Sequence, residues 1–176
     1  MTATENKKPE SLIAQAGEDL FHFAIDREDV KWLLAQFAKA SQIKATMLEY
    51  ELQILKIISV GWSLSYLLEG TPKRKTVMGE RFWNDINNFS KDLSYSTGLM
   101  IGQDIDYFEI LKSRLNQYVS AIQRDCDASD PAMSIGPEFA KICGNKDDLF
   151  AVMAGAKMFA NTFARVRQYL ETLKMR

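Results

Sequence analysis

Residues 146–175 read KDDLFAVMAGAKMFANTFARVRQYLETLKM. Within them Leu149, Val152, Ala156, Phe159, Phe163, Val166, Leu170 and Leu173 recur in alternating steps of three and four. Such steps put all eight on one side of an α-helix, whereas a half-buried strand would carry apolar residues at every second position. Asp147 and Asp148 stand at the start of the run, and Lys174 and Arg176 at its end. That is the charge polarity a helix dipole favours. The stretch predicts a long helix near 146–175.

Outward from this run the same spacing returns. Ile43, Met47, Tyr50, Ile54, Ile57, Gly61, Leu64 and Leu68 mark a second long helix near 41–69, closed by Gly70, Thr71 and Pro72. Gln42, Thr46, Glu49, Gln53 and Lys56 take its opposite side, and beyond Ile57 that polar side gives way to Trp62, Tyr66 and Leu67. A helix apolar all round belongs in the middle of a bundle. Shorter stripes are Leu12, Ala16, Leu20 and Phe23 (11–24), and Val30, Leu33, Leu34 and Phe37 behind the capping candidates Asp26 and Asp29. This second stripe either continues into the helix near 41–69 or breaks before it.

Phe82, Ile86, Phe89 and Leu93 define a helix near 77–93. Phe108, Leu111, Leu115, Tyr118 and Ile122 define another, opened by the capping-box spacing of Asp106 and Glu109. A polar loop over Asp125–Ser134 precedes a short helix from Gly136 and Pro137 to Gly144. Residues 94–103 pull two ways: Ser94, Ser96, Thr97, Gly98 and Gly102 favour a break, while Leu99, Met100 and Ile101 call for burial. No stretch of comparable length alternates as a strand does. The expected fold is all-α, a mostly up-and-down bundle of about six to seven helices, because a period near 3.5 implies shallow crossings. Residues 10–176 read as a single helical-bundle domain behind a disordered tail, residues 1–9.

Composition narrows the function classes. Twenty-two basic against 23 acidic residues leave a net charge of −1, which supplies no field to gather nucleic acid or an anionic membrane surface. The most apolar run, Ile57–Leu68, is uncharged but about half the ~20 residues a membrane span needs. The polar start, with Lys7, Lys8 and Pro9 and no apolar run behind, does not read as a signal peptide. Cys126 and Cys143 are too few and too far apart for a zinc site or a disulfide framework. Together these features read as a cytoplasmic protein that binds neither nucleic acid nor membrane.

Chemistry-bearing patterns are thin. His22 is the only histidine, and although Asp19 lies three residues before it, a carboxylate di-metal bundle needs that pair twice. Asp104, Asp106 and Glu109 lack the alternation and central glycine of a calcium loop. Capping accounts for Asp106 and Glu109, while the stripe of the following helix, extended backwards, puts Asp104 on the apolar face, where burial would demand a partner. Ser94–Gly98 has hydroxyls and glycine but no lysine and no preceding strand, so it is not a phosphate loop. Lys73, Arg74 and Lys75 read as complements to the dipole at the end of the helix before them. Neither cysteine has a base at any recommending distance, and no serine sits in a nucleophile elbow. No cofactor and no metal is expected, and the reading leans away from an enzyme.

Small residues carry a more physical signal. Gly61 on its stripe, and Ala151 with Gly155 four apart, mark either close helix crossings or space left for a ligand. Close packing is favoured, and Tyr50, Gly61 and Asp104 are the candidates for a pocket should the space be open. Two functions follow. The first is a non-catalytic interaction or regulatory module working through a protein partner or as a homodimer. Its sticky faces would be widened by Trp83 beside Phe82, Tyr107 beside Phe108, Phe150 beside Leu149 and Tyr169 beside Leu170. The alternative is a small-molecule-binding or catalytic bundle with an apolar pocket between helices.

Overall fold

The computed structural model describes residues 7–37, 39–125 and 130–173, with side chains from residue 11 onward. These residues form an all-α bundle of seven helices: α1 (Lys7–Ile25), α2 (Glu28–Phe37), α3 (Ala45–Leu67), α4 (Pro72–Ile101), α5 (Tyr107–Arg124), α6 (Ala132–Ile142) and α7 (Leu149–Thr172). No strand occurs among the described residues. None of the described helices is long and apolar enough to cross a membrane. The chain divides at Ala24/Ile25, Ser59/Val60, Ile110/Leu111 and Ala164/Arg165 into two compact units.

Boundaries differ from the sequence reading where side chains rescue or redirect the backbone. Helix α1 starts at Lys7, so residues 7–9 are helical; residues 1–6 of the expected tail lie outside the described residues. Proline at position nine is tolerated because first-turn N–H groups have no partner in the helix. Helices α2 and α3 are separate. Helix α6 starts at Ala132, where the Asp130 carboxylate accepts from the Ala132 N–H at 2.9 Å, and Pro137 lies inside it.

In the first unit α4 is the longest element, 30 residues, and it runs straight through the ambiguous segment to Ile101. The Ser94 and Ser96 hydroxyls donate to the carbonyls of Ser90 and Asp92, each at 2.8 Å. These polar side chains are thus spent on the helix's own backbone and do not break it. Gly102 ends the helix in the left-handed conformation, φ 67°, its N–H donating to the Gly98 carbonyl. Lys73, Arg74 and Lys75 fall in the first turn of α4, not at the end of α3, since Pro72 opens α4 at its first position.

Close approach holds this unit together. A Cβ at Gly61 would lie 2.2 Å from Cζ2 of Trp83, and one at Gly17 2.9 Å from the Met78 carbonyl oxygen. Arg81 binds Glu18 on α1 at 3.0 Å and Asp85 at 2.7 Å.

In the second unit Asp148 caps α7. Its Oδ1 accepts from the Ala151 N–H, while Oδ2 accepts from the Ser41 hydroxyl and the Gln42 N–H, both at 2.8 Å. Burial opposes the Asp148 charge, but these bonds outweigh it and hold the carboxyl below its ordinary range. Helices α6 and α7 meet through glycine: a Cβ at Gly155 would stand 2.6 Å from the Phe139 Cβ, and one at Gly136 2.7 Å from the Val152 carbonyl oxygen. The start of α7 accordingly buries Ala151 and Ala154 and leaves Leu149 exposed.

Of the stripe expected through α3, Ile43, Ile54, Ile57, Leu64 and Leu68 are buried, and only its early positions Met47 and Tyr50 are exposed. Leu48, Leu52 and Leu55 are buried beside it, so the apolar side is broader than the stripe and shifted at its start. Lys56, expected on the polar side, is fully buried, its Nζ 3.0 Å from Asp29 Oδ2 and donating to the Asp26 carbonyl at 2.9 Å.

Candidate interaction face on α4

Met78, Phe82 and Ile86 on α4 are each 0% exposed. Steps of three, four, three and four carry the same line through Phe89, Leu93, Ser96 and Met100, which therefore continue one face of one helix. Exposure climbs along it: 37% at Phe89, 40% at Leu93 and 83% at Met100. Beside the line Tyr95, Leu99 and Ile101 are 70%, 71% and 56% exposed. The apolar stripe outlasts its cover. Leu99, Met100 and Ile101, expected to be buried, are the most exposed apolar turn of the helix.

The reason is where α5 attaches. The Tyr107 N–H donates to the Ser94 hydroxyl at 3.2 Å, and the Thr97 hydroxyl donates to the Tyr107 hydroxyl oxygen at 3.3 Å. Asp106 caps α5 through the Phe108 and Glu109 N–H groups at 3.0 Å. Ser94 and Thr97 lie to one flank of the line through Phe89, Leu93 and Met100, so the docked start of α5 borders the stripe and leaves those three partly to fully exposed. A hollow of about 340 Å³ lies at this junction, lined by Lys91, Ser94, Tyr95, Asp104, Ile105 and Asp106. From Leu93 to Gln103 there is no charged residue.

The residues singled out from sequence are placed separately. Asp104 is exposed and lines the hollow beside α4, not an apolar core. Gly61 faces the Trp83 ring. Tyr50 is exposed on α3, eleven residues from Gly61 and about 16 Å away by helix rise. The pairs expected to widen sticky faces are largely taken up inside. Phe82 and Leu170 are buried, Trp83 covers Gly61, and the Tyr169 hydroxyl donates to Asp19, while Leu149 and Phe150 remain exposed. His22 is an exposed side chain 4.0 Å from Glu18. Cys126 lies outside the described residues.

Two other polar sites escaped the sequence reading. A hollow of about 540 Å³ in the first unit is lined by Asp19, Leu20, Phe23, Arg165, Gln168, Tyr169 and Thr172. The Tyr169 hydroxyl, and after it the Gln15 amide, hold the Asp19 carboxyl below its usual range, and Arg165 lies 5.9 Å over the Phe23 ring.

In the second unit Arg114 grips the buried Glu51 with two bonds, 2.8 and 3.0 Å, near Tyr118 and Cys143. Burial, reinforced by the Glu51 charge, pushes the Tyr118 phenol well up and the Cys143 thiol up to about 12. Both stay protonated near neutral pH, so neither is a ready nucleophile. The signal for Glu51 was present: it stands three residues after Leu48 and four before Leu55, on their buried face.

No family model, no curated protein and no solved structure matches the chain.

Proposed function

We propose that this chain is a non-catalytic helical interaction module that self-associates through the distal face of α4. The observation that carries the reading is the apolar stripe that is buried as far as Ile86 and increasingly exposed from Phe89 to Met100. A large apolar side chain presents on the order of 200 Å² when fully exposed, so Phe89, Leu93 and Met100 on the line and Leu99 beside it leave roughly 450 Å² of apolar surface. A stable two-fold interface takes about 800 Å² from each partner, and an apolar centre of this size inside a polar rim supplies about half of it. The occupant that fits is a second copy: an uncharged apolar face is complementary to itself, and a net charge of −1 offers little repulsion between copies. A cytoplasmic setting suits Cys143, a buried free thiol.

Light scattering on the purified chain at micromolar concentration is expected to give about twice 20.0 kDa. Leu93→Asp combined with Met100→Lys should return the mass to one chain with helix content unchanged. A parent chain that stays monomeric throughout the micromolar range overturns the reading. In that case the 540 Å³ hollow, the largest concave site described above, becomes the stronger candidate.

A further inference from the structure

We infer that the two copies pair α4 against α4 in antiparallel orientation, with the two-fold axis crossing the helix between Ser94 and Tyr95; this rests on the self-association proposed above. The argument is steric. The stripe is one straight line, and its first half is covered by the chain's own residues on the very side where a partner helix would lie. A parallel, in-register partner would bring its own covered half, Met78 to Ile86, against the same half of the first copy, and the two covers would collide. An antiparallel partner overlaps only residues 89–100 of each copy, about 17 Å of helix. The two covers then stand at opposite ends. Helix α4 stops at Ile101 and the chain turns off at Gly102, so the partner's covered half extends past the end of the helix and not along it.

The register follows from the heptad spacing. With Ile86, Leu93 and Met100 at one heptad position and Phe82, Phe89 and Ser96 at the other, antiparallel layers set Phe89 against the partner's Met100 and Leu93 against the partner's Ser96. Large residues then meet small or flexible ones, and the least exposed position of the face meets the most exposed. Asp92 comes level with the partner's Thr97. A parallel pair would instead put Ser96 opposite Ser96 and hold both Asp92 carboxylates at one level.

Cross-linking tests the orientation. Leu93→Cys chains and affinity-tagged Ser96→Cys chains are prepared separately, mixed in equal amounts, and oxidised with copper–phenanthroline at a concentration where the parent is dimeric. Disulfides form only where Cα atoms lie within about 7 Å. The expected product is the mixed, singly tagged species, exceeding same-site products several-fold, with the bridged peptides assigned by mass spectrometry so that links through Cys126 or Cys143 are recognised. Both positions are exposed, and circular dichroism checks that each variant keeps its helix. A dimer that bridges Ser96→Cys to Ser96→Cys, or that bridges at neither site, overturns the antiparallel pairing and leaves self-association standing. A monomeric parent overturns both.

Discussion

The two halves of α4 carry the same pattern and meet opposite fates. Met78, Phe82 and Ile86 are sealed, whereas Phe89, Leu93 and Met100, on the same line, face outward to a growing degree. Helix periodicity decides which side of a helix is apolar. It does not decide how far along that side the neighbouring chain extends. Where the two lengths disagree, the surplus is an exposed apolar surface, the observation on which the proposed self-association rests. The second unit shows the converse economy. There the polar groups Glu51, Lys56 and Asp148 are drawn inside and paired with Arg114, Asp29, Ser41 and the backbone of α7.

Truncating each half should separate them most sharply. Phe82→Ala removes a fully buried ring and is expected to cost about 3–5 kcal/mol. Met100→Ala removes a side chain that is 83% exposed and should stay within about 0.5 kcal/mol of the parent. Urea denaturation, run dilute enough for every species to be monomeric, gives both numbers. Comparable losses in the two variants would mean that the distal half is covered within the monomer, which breaks the contrast.

The same contrast explains what the sequence made legible. Six of the seven helices left an apolar stripe, α6 was placed by its glycines and proline, and the capping role of Asp106 followed from position alone, whereas Asp148 was legible only as a charge suited to the helix dipole. The continuity of α4 did not, because serine, threonine and glycine are helix breakers by propensity. Only the structure shows the Ser94 and Ser96 hydroxyls spent on carbonyls one turn back. Of the candidate face, Phe89 and Leu93 were legible as stripe positions. The exposure of Leu99, Met100 and Ile101 was not, since a residue's hydrophobicity says that it prefers burial and not that a cover exists. Lys56 illustrates the reverse failure: a charge on a helix reads as solvent-facing until the matching carboxylate, here Asp29, is seen across the contact.

A second, smaller test asks whether the proximal half is as tightly filled as its burial implies. Trp83, next to Phe82, lies over Gly61 so closely that a Cβ there would sit 2.2 Å from the ring. Gly61→Leu is therefore expected to destabilise by about 1–3 kcal/mol through overpacking and to shift the tryptophan emission as Trp83 is displaced. An unchanged denaturation midpoint with unchanged emission would show that the ring moves aside freely. The proximal half would then be looser than its 0% exposures suggest.

The smallest effect bears on the backbone of that half and has the opposite sign. Gly79 lies in the interior of α4, and a Cβ built on it meets no atom within 4 Å among the described residues. It performs none of the close-packing work of Gly17 or Gly61, so it retains only glycine's cost in a helix. That cost is the entropy lost when its permissive backbone is fixed, together with weaker helix propensity. Alanine leaves the tertiary contacts untouched and restricts the unfolded chain, so Gly79→Ala should stabilise by roughly 0.5–1 kcal/mol. It lies outside the distal face and should leave the mass read by light scattering equal to that of the parent. The pair of glycine variants is informative because two glycines in one unit then give opposite signs for one stated reason, the presence or absence of a neighbour within contact distance. A loss of stability in Gly79→Ala, measured by the same urea titration, would mean that something packs against the proximal half at this point, and the contrast between the two halves of α4 would need to be redrawn from there.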